Sequence, residues 1–160
     1  MLQKLAILAT VGAGVTIGLL WPTGQRSSAS AAKGSGTEVV IERNSDHHYY
    51  TDAAVNGHNV HFMIDTGASE TALTEADARA IGLPVDPSQY QVIGDGASGM
   101  VRGQYVQLKS IDVSGIRQQD VPAVIVPGAA VSLLGQPFLE KVDEIVIRQG
   151  EMRLKTDARS

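Results

Sequence analysis

The sequence predicts a mainly β protein: a small closed or folded-over β domain with two short helices, one lobe in the chain. Three observations carry that reading. Short segments with β-branched residues recur between turn signals such as Asn56-Gly57 and Gln149-Gly150. Glycine is frequent, at 17 of 160 residues, while aromatics supply only 4%, so the core must be built from small aliphatic side chains between many turns. Helix start signals are confined to two stretches, at Thr74 and at Pro137.

A chain of 160 residues suffices for one domain with a modest core and a tail. Hydrophobic residues make up 43% and charged residues 19%, an ordinary globular balance. The formal net charge of −4 gives no basis for nucleic-acid binding. With no cysteine, disulfides, thiolate zinc sites and a thiol nucleophile are excluded.

The tail comes first. Leu5 to Trp21 holds no charged residue, and Lys4 precedes it. At about 1.5 Å per residue such a helix nearly crosses a hydrocarbon core, with Trp21 placed for the interface. Two readings of residues 1–21 stand: an uncleaved membrane anchor with its basic end inside, which is favoured, or a secretory signal sequence cut near Ala29-Ser30-Ala31. Either exports the rest of the chain. The expected location is a bacterial inner membrane, crossed once, with the domain on the periplasmic side; the alternative is release into the periplasm. Residues 22–36, rich in Ser, Ala and Gly, form a linker. The folded domain spans 37–160.

Within it, Thr37 to Arg43 is a β-branched strand. Tyr49 to Val55 and Asn59 to Ile64 pair around Asn56-Gly57. Thr74 to Ile81 reads as a helix, capped by Thr74, with Asp77 completing a capping box and Gly82 at the left-handed C′ position before Pro84. Gln89 to Ile93 and Met100 to Leu108 flank a glycine-rich tip. Ile111 to Val113 and Ala123 to Val126 are further strands, and Pro137 to Val142 is a helix entered through proline. Glu144 to Arg148 and Met152 to Lys155 close the domain as a hairpin.

The chemistry lies in His61-Phe62-Met63-Ile64-Asp65-Thr66-Gly67-Ala68-Ser69. Aspartate is a poor strand residue, and one at the end of an apolar strand needs a reason. Gly67 lets the chain turn and brings its N–H close to the carboxylate. Thr66 is expected to bond inward, and Ser69 to donate to the outer oxygen of the acid. Peptide hydrolysis by carboxylates takes two of them around one water, one ionised and one protonated, and such a pair shares a proton and titrates as a unit. The chain has a single Asp-Thr-Gly; Asp112-Val113-Ser114-Gly115 has an extra residue and cannot form the same loop. One chain thus holds half a site, and a two-fold homodimer would supply the other half.

These residues resemble the retropepsin-type aspartic proteases, in particular the bacterial single-domain, membrane-anchored branch. The resemblance covers roughly Tyr49 to Leu154. It rests on Met63 to Ser69, on the following Leu73 to Leu83, on Ile93-Gly94-Asp95-Gly96-Ala97-Ser98-Gly99 at the position of the family's flap, and on Leu133-Leu134-Gly135, which matches its second signature. It implies a retropepsin-like fold, Asp65 as catalytic acid or base, Thr66 interlocked with its mate across the dimer axis, a flap lying over a peptide substrate, and Leu133-Leu134-Gly135 packed behind the catalytic loop. No cofactor or metal is implied. Asp95 departs from the viral pattern, where small or apolar residues are usual, and bears on flap mobility and substrate preference.

The histidine pairs His47-His48 and His58/His61 invite a metal reading. His58 and His61 are three apart, which on a strand places them on opposite faces, and no acid or thiol cluster joins them; solvated or locally bonded histidines are expected. Two functions other than an aspartic endopeptidase fit the sequence: a non-catalytic dimerisation or peptide-binding module that keeps the protease fold, and a tethered envelope protein. An intact Asp-Thr-Gly-Ala-Ser favours the enzyme.

Overall fold

Ten strands and two short helices follow one another in the order β1 (Thr37–Glu42), β2 (Tyr50–Val55), β3 (His58–Ile64), β4 (Thr71–Thr74), α1 (Glu75–Ala80), β5 (Gln91–Gly96), β6 (Gly99–Val113), β7 (Ile116–Val126), β8 (Ser132–Leu134), α2 (Gln136–Leu139), β9 (Glu144–Arg148) and β10 (Glu151–Thr156). The computed structural model describes residues 36–96 and 99–158. The anchor or signal segment 1–21, linker residues 22–35, and Ala97 and Ser98 of the glycine-rich tip lie outside the described residues. Among the described residues no helix is long and apolar enough to cross a membrane.

Six strands form a closed ring. The order runs β2-β3-β8-β4-β7-β6, and β6 returns to β2 through Ala54↔Asp112 and Val55↔Ile111. Closure leaves the ring without a free edge. Its inside is filled by Val55, Val60, Phe62, Leu73, Leu108, Ile111, Ile125 and Leu134, each fully buried or nearly so. The chain's two phenylalanines, Phe62 and Phe138, are both 0% exposed. β1, β10 and β9 form a second, three-stranded antiparallel sheet. Its inner residues Val39, Ile41, Met152 and Leu154 join the same core, while its outer face pairs charges: Arg153 with Glu38 and Glu151, and Lys155 with Glu144.

The hairpin at Asn56-Gly57 forms with both residues at positive φ, and the Asn56 side-chain oxygen accepts from Lys109 and Ser110 N–H, docking the turn on β6. Thr74 caps α1 by accepting from Asp77 N–H. The expected reciprocal box does not close. Instead Ser132 Oγ accepts from Thr74 N–H, and the Asp77 carboxylate accepts from both hydroxyls. Gly82, at φ +78°, ends the helix in a Schellman pattern, with Leu83 N–H donating to Ala78 O and Gly82 N–H to Arg79 O.

Several boundaries differ from the sequence reading. The stretch read as a helix from Thr74 begins at Glu75 and is preceded by β4, all four of whose residues are buried. A strand buried on both faces shows no alternation. The strand expected from Gln89 starts at Gln91, after a 3-10 turn at Pro87–Gln89. The segments Met100 to Leu108 and Ile111 to Val113 are one 15-residue strand, and β7 begins seven residues before Ala123, because inward-facing Gln118 breaks the apolar pattern while its amide donates to Phe138 O. The helix read over Pro137 to Val142 occupies Gln136–Leu139.

Candidate active site

The catalytic-loop candidate leaves β3 at Ile64. β3 runs parallel to β8, with Ile64 opposite Leu134, and Asp65 N–H donates to Leu134 O at 3.1 Å. The loop then folds back: Ala68 N–H donates to Asp65 O at 3.2 Å, and Gly67 N–H donates to the Asp65 carboxylate at 2.9 Å. A Cβ on Gly67 would sit 3.3 Å from that carboxylate oxygen, so glycine allows the amide its close approach. Asp65 is half-buried and Thr66 exposed.

Two expectations fail in the described residues. Thr66 was expected to bond inward, but its side chain is exposed and makes no hydrogen bond. Ser69 was expected to donate to the acid, but it is exposed and does not bond to it; the ordering contact to Asp65 comes from the Gly67 backbone. The loop is held instead by Gln136, a residue the sequence reading missed. Its backbone N–H donates to Ala68 O at 2.9 Å and its side-chain amide to Thr66 O at 2.6 Å. A polar residue at the start of a short helix, directly after Leu133-Leu134-Gly135, was the available signal, but nothing in sequence connects it to a loop 70 residues earlier.

Gly135 explains why the second signature ends in glycine. A Cβ there would lie 2.1 Å from Glu70 O and 2.8 Å from Ala68 O, so the chain passes directly against the loop's backbone. Leu134 is fully buried behind the loop, whereas Leu133 is half-buried and faces the groove.

The glycine-rich tip lies on a hairpin of β5 and β6. Its register slips between Val92 and Gly94, leaving Ile93 as a bulge residue. Gly103 marks the point where β6 changes partners: Gly103 pairs with Gln91 of β5, and Gln104 pairs with Ile125 of the ring. A Cβ on Gly103 would meet Ile125 O at 2.6 Å and the Ile93 side chain at 2.9 Å. Gln104, 3% exposed, anchors the approach to the hairpin by accepting from Asp86 N–H and donating to Pro84 O.

Between loop and hairpin lies a groove of about 310 Å³. Gly67, Ala68, Ser69 and Glu70 line it from the loop and Ile93, Gly94, Asp95 and Val101 from the hairpin, with Ala72, Val124, Val126, Ala129, Val131 and Leu133 completing it. The three sequence elements, far apart in the chain, thus meet at one cleft. Asp65 and Thr66 stand beside it, outside its lining. A second cavity of about 360 Å³, between Thr37, Gly115–Gln119, Lys141 and Thr156–Ala158, involves none of the candidate residues.

Asp112-Val113-Ser114-Gly115 forms the β6–β7 turn, with Asp112 accepting from Gly115 N–H at 2.8 Å and Ser114 and Gly115 at positive φ. His61 bonds Asp52 at 2.8 Å and stacks on Tyr50. Among the described residues no group of three or more His, Asp or Glu is arranged to hold a metal ion.

A closed six-strand barrel with an Asp-Thr-Gly loop at the end of an inner strand and a hairpin across the adjoining groove defines the retropepsin-like aspartic protease class. The chain belongs to the family described as "gag-polyprotein putative aspartyl protease", whose model matches residues 51–141. It is similar to an uncharacterized protein in the cobV 5′ region of Sinorhizobium sp., 32% identical over 120 residues, covering 74% of this chain and 52% of that protein. It is also similar to the uncharacterized protein RP867 of Rickettsia prowazekii (strain Madrid E), 34% identical over 105 residues, covering 65% of this chain and 45% of that one. The chain thus spans about half the length of the curated relatives it matches. Among solved structures, a retropepsin-like aspartic protease from Rickettsia conorii superposes with a TM-score of 0.63 at 29% identity, covering 76% of this chain and 91% of that one. The EIAV protease in complex with the inhibitor HBY-793 shares the fold, with a TM-score of 0.54 at 20% identity, covering 66% of this chain and 97% of that one.

Proposed function

We propose that this chain is an aspartic endopeptidase that hydrolyses peptide bonds through a water activated by two Asp65 carboxylates, one from each subunit of a homodimer. The observation that carries the reading is the single Asp-Thr-Gly loop, which presents one half-buried carboxylate beside an open groove. In the paired site one Asp65 is ionised and takes a proton from the water, whose oxygen attacks the peptide carbonyl. The other is protonated and donates to the carbonyl oxygen. Collapse of the tetrahedral species breaks the C–N bond as the amine leaves with a proton. Ordered backbone around Asp65, from Gly67 N–H and the Gln136 contacts, supports a fixed carboxylate position. In this reading Thr66 meets its mate across the dimer axis, which its exposure supports. Need for one shared proton gives a bell-shaped rate profile on the acidic side of neutrality.

Two copies joined in one chain test this. With Asp65 in both halves, cleavage of a mixed peptide library should survive dilution. With Asp65→Asn in one half, it should collapse far below half. Retention of about half the activity would overturn the shared dyad, and cleavage by a chain with Asp65→Asn in both halves would overturn the peptidase. The proposal extends to location: Leu5 to Trp21 anchors the chain in a bacterial inner membrane with the domain periplasmic. A reporter fused after Ser160 would then be active outside the cytoplasm, and cytoplasmic activity would reverse that topology.

A further inference from the structure

The groove has apolar walls and two charges. Val124, Val126 and Leu133 are among its aliphatic lining residues, while its charged residues among those described are Glu70, at the end of the Asp-Thr-Gly loop, and Asp95, on the hairpin. Among the described residues, no lysine, arginine or histidine lines it. Neither carboxylate has an ion pair or hydrogen bond among the described residues. Two cations of the neighbouring elements are engaged with other partners, Arg79 of α1 with Glu75 and Arg102 of β6 with the Tyr90 carbonyl. Glu70 is half-buried and Asp95 exposed, so both carboxylates lie at the groove's solvent-facing rim.

A ligand group that matches this pattern has a long aliphatic stem and a cationic end. We propose that the groove takes a lysine or arginine side chain of the substrate, its stem along Val124, Val126 and Leu133 and its cation between Glu70 and Asp95. The assignment deepens the peptidase reading and rests on it for the word substrate. Arginine and lysine both place methylenes against apolar surface while keeping their charge at a polar rim. A glutamate in the same place would face two like charges.

The test is a set of peptides that differ at one position at a time, flanking the cleaved bond, carrying Lys, Arg, norleucine or Glu. Norleucine keeps the stem and removes the cation. With the full-length chain in detergent, Lys and Arg at one position should exceed norleucine in kcat/KM by about fivefold, the scale of a partly exposed ion pair, and Glu should be the poorest. In Asp95→Asn, and more fully in Glu70→Gln with Asp95→Asn, the Lys-to-norleucine ratio should fall toward one. In Asp95→Lys the order of Glu and Lys should move in the opposite direction. Equal or better cleavage of norleucine peptides by the unaltered chain, or an unchanged ratio in the double variant, would overturn the assignment while leaving the peptidase standing. A second arm measures binding of the same peptides with a reduced, uncleavable bond, by fluorescence anisotropy. A Lys preference in binding without cleavage of any peptide would sink the peptidase reading and keep the groove assignment. No preference in either arm removes the assignment.

Discussion

Ser132 donates a hydrogen bond of 2.6 Å to the Asp77 carboxylate across 55 residues of chain, and the same hydroxyl accepts from Thr74 N–H at 3.0 Å. One buried side chain thus ties the start of α1 to β8, the strand that runs beside Asp65's own strand. Ser132→Ala would leave a buried N–H without a partner and remove one donor from Asp77. The expected loss of unfolding free energy is about 1–3 kcal/mol, read by urea denaturation. A change below a few tenths would mean that the hydroxyl bond contributes nothing net.

Gly135 and Gly94 separate a packing glycine from a merely accommodated one. Gly135→Ala places a methyl 2.1 Å from Glu70 O, a backbone atom that cannot swing away, and should cost about 3 kcal/mol or more. A Cβ on Gly94 meets nothing within 4 Å, so Gly94→Ala should change stability by about 0.5 kcal/mol or less. Thermal unfolding of the two variants side by side decides it.

Gln136→Ala keeps the backbone bond to Ala68 O and removes only the 2.6 Å contact to Thr66 O. The Asp-Thr-Gly loop then loses one of its two ties to α2. If Asp65 is the reacting group, kcat should fall about tenfold or more with a smaller change in KM, since loop position matters most in the transition state. A variant with wild-type kcat would show that the side-chain contact does not position the loop.

The Asp46–Tyr50 pair gives a pH signature remote from the groove. Tyr50 O–H donates to Asp46 at 2.7 Å, and this bond, with a second from His48 N–H, holds the Asp46 carboxyl below its ordinary 3.8. The same bond raises Tyr50 above its ordinary 10.0. For the depressed acid, the stabilising contribution is present above 3.8 and lost as pH falls through the lower folded value. For the raised phenol, it is present below 10.0 and lost as pH rises through the higher folded value. Tyr50→Phe should return Asp46 part of the way toward 3.8 in an NMR titration, the His48 N–H remaining. An unmoved Asp46 would show that the phenol is not its partner in solution.

Turn and cap chemistry was legible in sequence because it is local. Asn56-Gly57, Thr74 with Asp77, and Gly82 each act within a few residues, and each forms a turn or cap close to the one predicted. The Asp-Thr-Gly loop was legible for the same reason: Gly67 reaches Asp65 across two residues of chain, and an acid closing an apolar strand is conspicuous. By itself, the sequence therefore determined the mainly β class and the family resemblance, and it singled out Asp65 as the candidate acid. Tertiary structure decided what depends on distant partners. β4 is fully buried and shows no alternation, β8 is only three residues long, and their polar Thr71 and Ser132 are buried. Ring closure rests on two residue pairs between β2 and β6. Gln136 meets the Asp-Thr-Gly loop, and Glu70 and Asp95 line one groove, only because the parallel pairing of β3 with β8 and the partner change at Gly103 bring those segments together. Hydrogen bonds and packing between residues tens of positions apart leave no period in the sequence, so only the closed barrel could set the groove's shape and charge.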